Sequence, residues 1–265
     1  MATKRGRIVS EGDALKRRCR SIHRALELFA SPWVVEFAGL PRAGKSECIS
    51  TVEHFLQQNK FRVFSPSEGA GQAPEYLKGN LLSYNTWTAT YAIHHILEAS
   101  SFVIPVRERD GKSGRVVRRY ERYYDIVLLD RGLFDATAWV HLLESDRKLP
   151  RETRDIITRF LRVDEWRERV QQVFLFTCSR KTSLAREFRF KLIRKGGVTT
   201  GRGFLRRLQR AYDDAENCYE DAFDVVRINT DNKSHKRVAG LIVRHMFDAI
   251  TSAARTARTA TPQKR

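Results

Sequence analysis

The sequence predicts an α/β fold, a five-stranded parallel sheet between layers of helices, and three observations carry the prediction. Short apolar runs rich in β-branched and aromatic residues stand at residues 33–38, 61–64, 126–129, 173–176 and 225–228. Between them lie stretches with apolar residues at helical spacing, and strands that alternate with helices build a parallel sheet covered on both faces. The first run leads directly into Gly39-Leu40-Pro41-Arg42-Ala43-Gly44-Lys45-Ser46, a glycine-bounded turn between a strand and a helix. A chain of 265 residues is long enough for one such core with appendages.

Leu15, Cys19, Ile22, Leu26 and Phe29 step by four and three, one apolar stripe on a helix expected to pack beside the first strand. Lys16, Arg17, Arg20 and Arg24 cover its other sides, so residues 1–30 read as a basic arm and helix. Trp33-Val34-Val35-Glu36-Phe37-Ala38 is the first strand, and Ile49, Val52, Phe55 and Leu56 mark the helix behind the glycine turn. Phe61-Arg62-Val63-Phe64 is the second strand, ending in the turn-forming cluster Ser65-Pro66-Ser67-Glu68-Gly69-Ala70-Gly71. Residues 76–100 read as a helix with Tyr84, Asn85, Trp87 and Tyr91 on an aromatic and amide-bearing face. Apolar runs then flank Asp110-Gly111-Lys112-Ser113-Gly114, which predicts a basic hairpin or mobile loop over about 102–122. Ile126-Val127-Leu128-Leu129 is the third strand and ends in Asp130, with a helix over 133–143 behind it. Residues 173–176 and 225–228 complete the sheet, and Val238, Leu241, Ile242 and Phe247 mark the last helix. The core domain thus spans 31–250. Residues 251–265, rich in Ala, Thr and Arg, are expected to form a basic disordered tail.

Composition narrows the function classes. No apolar run reaches the ~18 residues that span a bilayer, and the basic N-terminus lacks the apolar stretch of a secretory signal. Four scattered cysteines without C-x-x-C spacing point to reduced thiols and a cytoplasmic protein. His94 and His95 are adjacent, about 100° apart on a helix, and make a poor metal pair. Lys and Arg number 49 against 31 Asp and Glu, a net charge of +18. The excess lies in the arm through Arg24, in 107–122, in 180–210 and after Arg255. Such a field gathers polyanions such as nucleotides, nucleic acid or an anionic membrane, although terminal runs also serve simply as solvated arms.

The turn at 39–46 carries the most specific chemistry. Its glycines let backbone N–H groups turn inward around a polyphosphate, and the helix behind it points its positive end at the same anion. Lys45 reaches the β- and γ-phosphates in this pattern, and the Ser46 hydroxyl ligates Mg²⁺. The nucleotide-binding set is therefore Gly39, Leu40, Pro41, Arg42, Ala43, Gly44, Lys45, Ser46 and the adjoining Glu47. Asp130 closes an apolar strand and would supply the carboxylate near the metal, with Arg131 neutralising charge on the phosphoryl group. The alternative for Asp130 is an N-cap on the following helix.

The loop at 39–46, Asp130-Arg131-Gly132 and the ending Ile228-Asn229-Thr230-Asp231 resemble the nucleoside and nucleotide kinase branch of P-loop proteins, thymidylate kinases and deoxynucleoside kinases above all. The Asp-Arg-Gly-Leu-Phe-Asp run at 130–135 also looks like a motif of small AAA-type NTPases. The resemblance implies a three-layer P-loop NTPase fold with a helical lid, here about 180–203, plus the extra N-terminal helix. It implies ATP as donor, Mg²⁺, and an acidic residue after the second strand, which falls on Glu68, to orient or deprotonate an acceptor hydroxyl. Thymidylate kinases carry an Arg-Glu-Pro-Gly-Gly run there; Pro-Ser-Glu-Gly-Ala-Gly lacks the arginine, which puts a monophosphate acceptor in question. Arg186 and Arg194 are the expected lid arginines closing on the phosphates. Asn229, Thr230 and Asp231 fall where adenine is held, and Tyr84, Asn85, Trp87, Glu68 and Arg131 where the acceptor is held.

The leading expectation is a phosphotransferase acting on a nucleoside, nucleotide or related hydroxyl compound. A polynucleotide 5′-hydroxyl kinase comes next, favoured by the charge, and then an ATPase or NTP switch. Partners expected are a nucleotide donor and a small-molecule acceptor, with nucleic acid and a second copy of the chain as further candidates.

Overall fold

The computed structural model describes residues 11–109, 116–189 and 202–260. In chain order the strands are β1 (Trp33–Gly39), β2 (Val63–Phe64), β3 (Val103–Arg109), β4 (Val116–Arg122), β5 (Ile126–Asp130), β6 (Val170–Thr177) and β7 (Val225–Asn229). The helices are α1 (Glu11–Leu26), α2 (Lys45–Gln58), α3 (Gly69–Gln72), α4 (Leu81–Ser101), α5 (Leu133–Ser145), α6 (Arg151–Leu161), α7 (Asp164–Arg167), α8 (Arg180–Arg189), α9 (Arg202–Cys218) and α10 (His235–Ala260). All five expected core strands form one parallel sheet of order β2-β5-β1-β6-β7. One face carries α2, α10 and α1, the other α4, α5 and α9, which gives the three layers.

β1 lies at the centre and is buried along its whole length, which explains why its sequence is, apart from Glu36, an apolar run rather than an alternation. Phe37 meets Phe174 and Phe176 at ring-centroid distances of 5.8 and 5.9 Å. All three are fully buried, and each contributes roughly 1.5–3 kcal/mol through burial.

Two expectations about the ends need correction. The stripe of α1 is buried as read, but its main partner is α10 rather than the first strand. Arg18 pairs with Asp248 at 2.7 Å, and Arg244 pairs with Glu11. The tail is not disordered from residue 251: α10 runs on to Ala260, because Ile250 and Ala254 continue its buried stripe and alanine is the best helix former. Residues 261–265 lie outside the described residues.

The helix expected from residue 76 starts at Leu81, where the Asn80 side chain accepts from the Ser83 N–H at 3.0 Å. A 3-10 turn at Glu75–Leu77 precedes it. The basic hairpin forms as β3 and β4, paired antiparallel with each other and apart from the main sheet. Arg122 anchors it by donating to the Leu26 and Phe29 carbonyls at 2.7 and 2.6 Å. The turn at 110–114 lies outside the described residues. All four cysteines are free thiols, and among the described residues no helix is long and apolar enough to cross a membrane.

Candidate functional site

β1 and β5 are neighbours, with Phe37 opposite Asp130. Their following helices, α2 and α5, leave onto opposite faces, which opens a crevice at the carboxyl ends of the strands where α/β folds bind ligands. Gly39 has φ +125°, and a Cβ there would stand 2.2 Å from the Phe176 carbonyl oxygen, so only glycine fits. Gly44 has φ +92° and ends the loop immediately before α2. Lys45 is buried and donates to the Gly39 and Leu40 carbonyls at 3.0 and 3.2 Å. Burial, with the Arg131 charge adding to it, lowers its ammonium to about 8.

The Ser46 hydroxyl donates to Asp130 Oδ2 at 2.9 Å, while the buried Asp130 Oδ1 has no partner among the described residues. A hydroxyl beside a carboxylate with an unused oxygen is the donor set that a hard divalent cation takes, so these residues fit Mg²⁺. Burial pushes the Asp130 carboxyl above its ordinary value, against the pull of Lys45. Asp130 is not the cap of α5. Gly132 occupies that position, and the buried Glu36 accepts from the Phe134 and Asp135 N–H groups at 3.1 and 2.8 Å. Burial raises the Glu36 carboxyl to about 7 in spite of those bonds.

Arg131 sits in the left-handed region, φ +69°, which turns its guanidinium back across the crevice. Its Nε donates to Glu68 at 2.6 Å, and its Nη1 donates to both oxygens of Asp135 at 3.0 and 2.9 Å. Asp135 Oδ1 also accepts from the Tyr212 hydroxyl at 2.5 Å and the Gly39 N–H at 3.3 Å, and Tyr212 donates to the Gly39 carbonyl at 3.2 Å. Burial works against the charge of Arg131, yet Asp135 and Glu68 hold the guanidinium well above its ordinary value. One network therefore ties the phosphate loop, the Asp-Arg motif and Glu68 together. Asp135 and Tyr212 were missed in the sequence. Asp135 stands one helical turn beyond Arg131, a spacing that pairs side chains, but Tyr212 carries no sequence signal.

The crevice is the mouth of a cavity of about 1260 Å³. Residues from Pro41 to Cys48 line one half with Arg186, Thr230 and Lys233; Gly39 and Leu40 lie behind the loop and support it. Tyr84, Asn85, Tyr91, Trp139 and Phe204 line the other half, with Glu68 and Arg131 between the two. Trp87 does not reach it. The cavity face of α4 carries 84, 85, 88, 91, 92 and 95, and residue 87 falls beyond its edge, where it stacks on Tyr91 at 5.1 Å. Trp139 and Phe204, absent from the sequence reading, face each other at 5.8 Å.

Arg186 lines the cavity beside the loop and is anchored there. Its Nη1 donates to the Arg42 carbonyl at 3.2 Å and to Thr230 Oγ1 at 3.0 Å, and its Nη2 donates to the Thr230 carbonyl at 3.0 Å. Thr230, just after β7, in turn donates to the Ala43 carbonyl at 2.8 Å, so it and Arg186 of α8 hold the loop in place. Asp231 accepts from the Ser179 N–H at 2.9 Å, and Asn229 from the Asp231 N–H at 2.8 Å; of the three, Thr230 alone lines the cavity. Arg194 and most of the glycine-containing lid lie outside the described residues.

No protein-family model matches the chain, and no curated protein matches it in sequence. Among solved structures it is similar to deoxyadenosine kinase from M. mycoides with products dCMP and a flexible dCDP bound, at 14% identity and TM-score 0.53, covering 81% of this chain and 99% of that one. It is similar also to the same enzyme with bound dATP, at 13% identity and TM-score 0.54, covering 80% and 98%. The arrangement of sheet, phosphate loop and flanking helices is thus the P-loop α/β fold of these deoxyadenosine kinase structures.

Proposed function

We propose that the protein is an ATP- and Mg²⁺-dependent phosphotransferase whose acceptor is a hydroxyl of a nucleoside or nucleotide. The observation that carries this reading is the juxtaposition of Ser46–Asp130 with Glu68–Arg131 across one cavity. The first pair belongs to a donor triphosphate, and the second lies where an acceptor meets its end. Deoxyadenosine kinase structures with dATP, dCMP and dCDP support the choice of nucleotide and nucleoside ligands.

In the proposed reaction the acceptor oxygen forms a bond to the γ-phosphorus. The bond from that phosphorus to the β–γ bridging oxygen breaks, and ADP leaves with the electron pair. Glu68 takes the hydroxyl proton on the carboxylate oxygen that Arg131 leaves unused. Lys45 would leave its loop carbonyls for the β- and γ-phosphate oxygens, while Arg131 presents the guanidinium nitrogen not engaged by Glu68 or Asp135. Ser46 and Asp130 would hold Mg²⁺, which neutralises charge on the phosphates when bound.

The test is a screen with γ-labelled ATP against nucleosides, monophosphates and sugars, run with the parent protein and Lys45→Ala. Transfer to a nucleoside or nucleotide that disappears in the variant supports the reading. ATP hydrolysis unaffected by any acceptor would replace it with an ATPase or switch.

A further inference from the structure

The acceptor half of the cavity extends past the aromatic pair of Trp139 and Phe204 to a rim made by Asp146, Lys148 and Arg207. Asp135, which holds Arg131, and Asp146, which holds Arg207 at 2.7 Å, mark the two ends of α5. At 1.5 Å per residue the helix separates them by about 16 Å, longer than one sugar with its base. A nucleoside whose hydroxyl sits at Glu68 therefore stops short of the rim.

The rim holds two cations, Lys148 and Arg207, against one carboxylate, Asp146, which pairs with Arg207. Lys148 is exposed and lines the cavity, with no carboxylate partner among the described residues. On α9, Arg206 and Arg210 are likewise exposed without such a partner, and with Arg207 they carry the positive surface away from the opening. Arg206 and Arg210 stand at positions i and i+4, where like charges repel mildly; Asp213 and Asp214 follow one turn on, and an anion lying across the two arginines would relieve the repulsion further. A neutral nucleoside offers no such anion, whereas a phosphodiester chain offers one per residue. Aromatic walls leading into a basic groove are also the construction that binds single-stranded nucleic acid, where bases stack and the groove follows the backbone. The net charge of +18 acts in the same direction.

Building on the phosphotransferase reading, we infer that the acceptor is the 5′-hydroxyl end of a polynucleotide. Its terminal nucleoside lies between Tyr84 and Trp139, and its following phosphates leave the cavity over Lys148, Arg207 and the exposed face of α9.

The experiment uses the full chain and the variant Arg206→Glu/Arg210→Glu, whose two sites are exposed on α9 and do not line the cavity. The probe is a 5′-hydroxyl hexanucleotide, as RNA and as DNA, labelled at its 3′ end. Binding is read by fluorescence anisotropy across a salt series, and phosphoryl transfer is read from γ-labelled ATP to the same oligonucleotide and to free nucleosides. Four phosphate contacts predict a log–log salt slope of about −2.8 for a single strand, falling toward about −1.4 when two are removed. The variant is expected to bind the oligonucleotide at least about tenfold more weakly at low salt. Its kcat/KM should fall in parallel for the oligonucleotide and stay unchanged for nucleosides. Equal oligonucleotide affinity and equal salt slope in parent and variant would overturn the inference, as would a parent kcat/KM higher for nucleosides than for the oligonucleotide. If neither acceptor is phosphorylated, the phosphotransferase reading fails, and the anisotropy arm still decides whether the rim binds a polynucleotide.

Discussion

Replacing Asp135 with asparagine removes one charge from the centre of the site and little volume. The carboxylate is 3% exposed, and its two oxygens accept from Arg131, Tyr212 and Gly39. Asparagine keeps one oxygen and turns an amide N–H₂ toward a guanidinium that already donates there. Removing one partner of a buried ion pair costs about 3–5 kcal/mol, because the other charge stays behind uncompensated. Arg131 keeps Glu68, and 21% of its side chain reaches solvent, so the expected loss lies at the lower end, about 3 kcal/mol. Urea unfolding followed by circular dichroism measures this directly, and with a slope of about 2–3 kcal/mol/M the midpoint should fall by roughly 1 M. Tyr212→Phe, which deletes one hydroxyl and leaves the charges paired, should lose only about 1 kcal/mol. The double variant should lose less than the sum, since both changes act on one oxygen. A midpoint for Asp135→Asn within 0.2 M of the parent would refute the claim that this carboxylate holds the guanidinium.

Three further outcomes follow from the same geometry. Glu68→Gln cannot take a proton, so the phosphotransferase reading expects kcat to fall about 10²- to 10⁴-fold with ATP binding retained, and full transfer would remove the assignment. Gly39→Ala places a methyl group 2.2 Å from the Phe176 carbonyl, and the protein should fail to accumulate in folded form or lose nucleotide binding; a variant that melts and binds like the parent would contradict the close approach. Glu36 titrates at about 7 when folded and at about 4.5 when unfolded, so it favours the folded state fully below pH 4.5 and loses that contribution as the pH rises through 7. The loss amounts to about 3 kcal/mol at one pKa unit per 1.36 kcal/mol. Unfolding free energies from pH 5 to 8 should decline in the parent and flatten in Glu36→Gln, and parallel curves would show that burial does not raise this group.

Much of this was legible in one dimension because the signals are local. Five apolar runs became five strands; the central three, β1, β5 and β6, are buried on both faces and have no polar side to encode. The loop at 39–46 was legible because backbone sterics and phosphate chemistry demand particular residue types at adjacent positions. The loop pattern assigns Ser46 to the metal and a strand-ending carboxylate assigns Asp130 to it, and the two meet because β1 and β5 are neighbours. Helix phase, in contrast, misled at Trp87, where a shift of one position along α4 separates a cavity wall from a stacking partner.

Residues that act through distant partners stayed hidden. Glu36 reads as an odd charge in an apolar strand, and only the approach of α5 makes it the acceptor for that helix's N-terminus. Tyr212 lies far along the chain from Asp135 and Gly39, and nothing in its neighbours points to either. Arg186 reads as an arginine of the lid segment, and only the tertiary structure brings it to the carbonyls of Arg42 and Thr230. The order of residues settles which segments become strands, helices and a phosphate loop, because propensity, patterning and turn sterics operate within a few positions. Which carboxylate steadies which guanidinium, and how far the cavity runs beyond it, depends on strand order and helix packing, where the contacts join parts of the chain that sequence distance keeps apart.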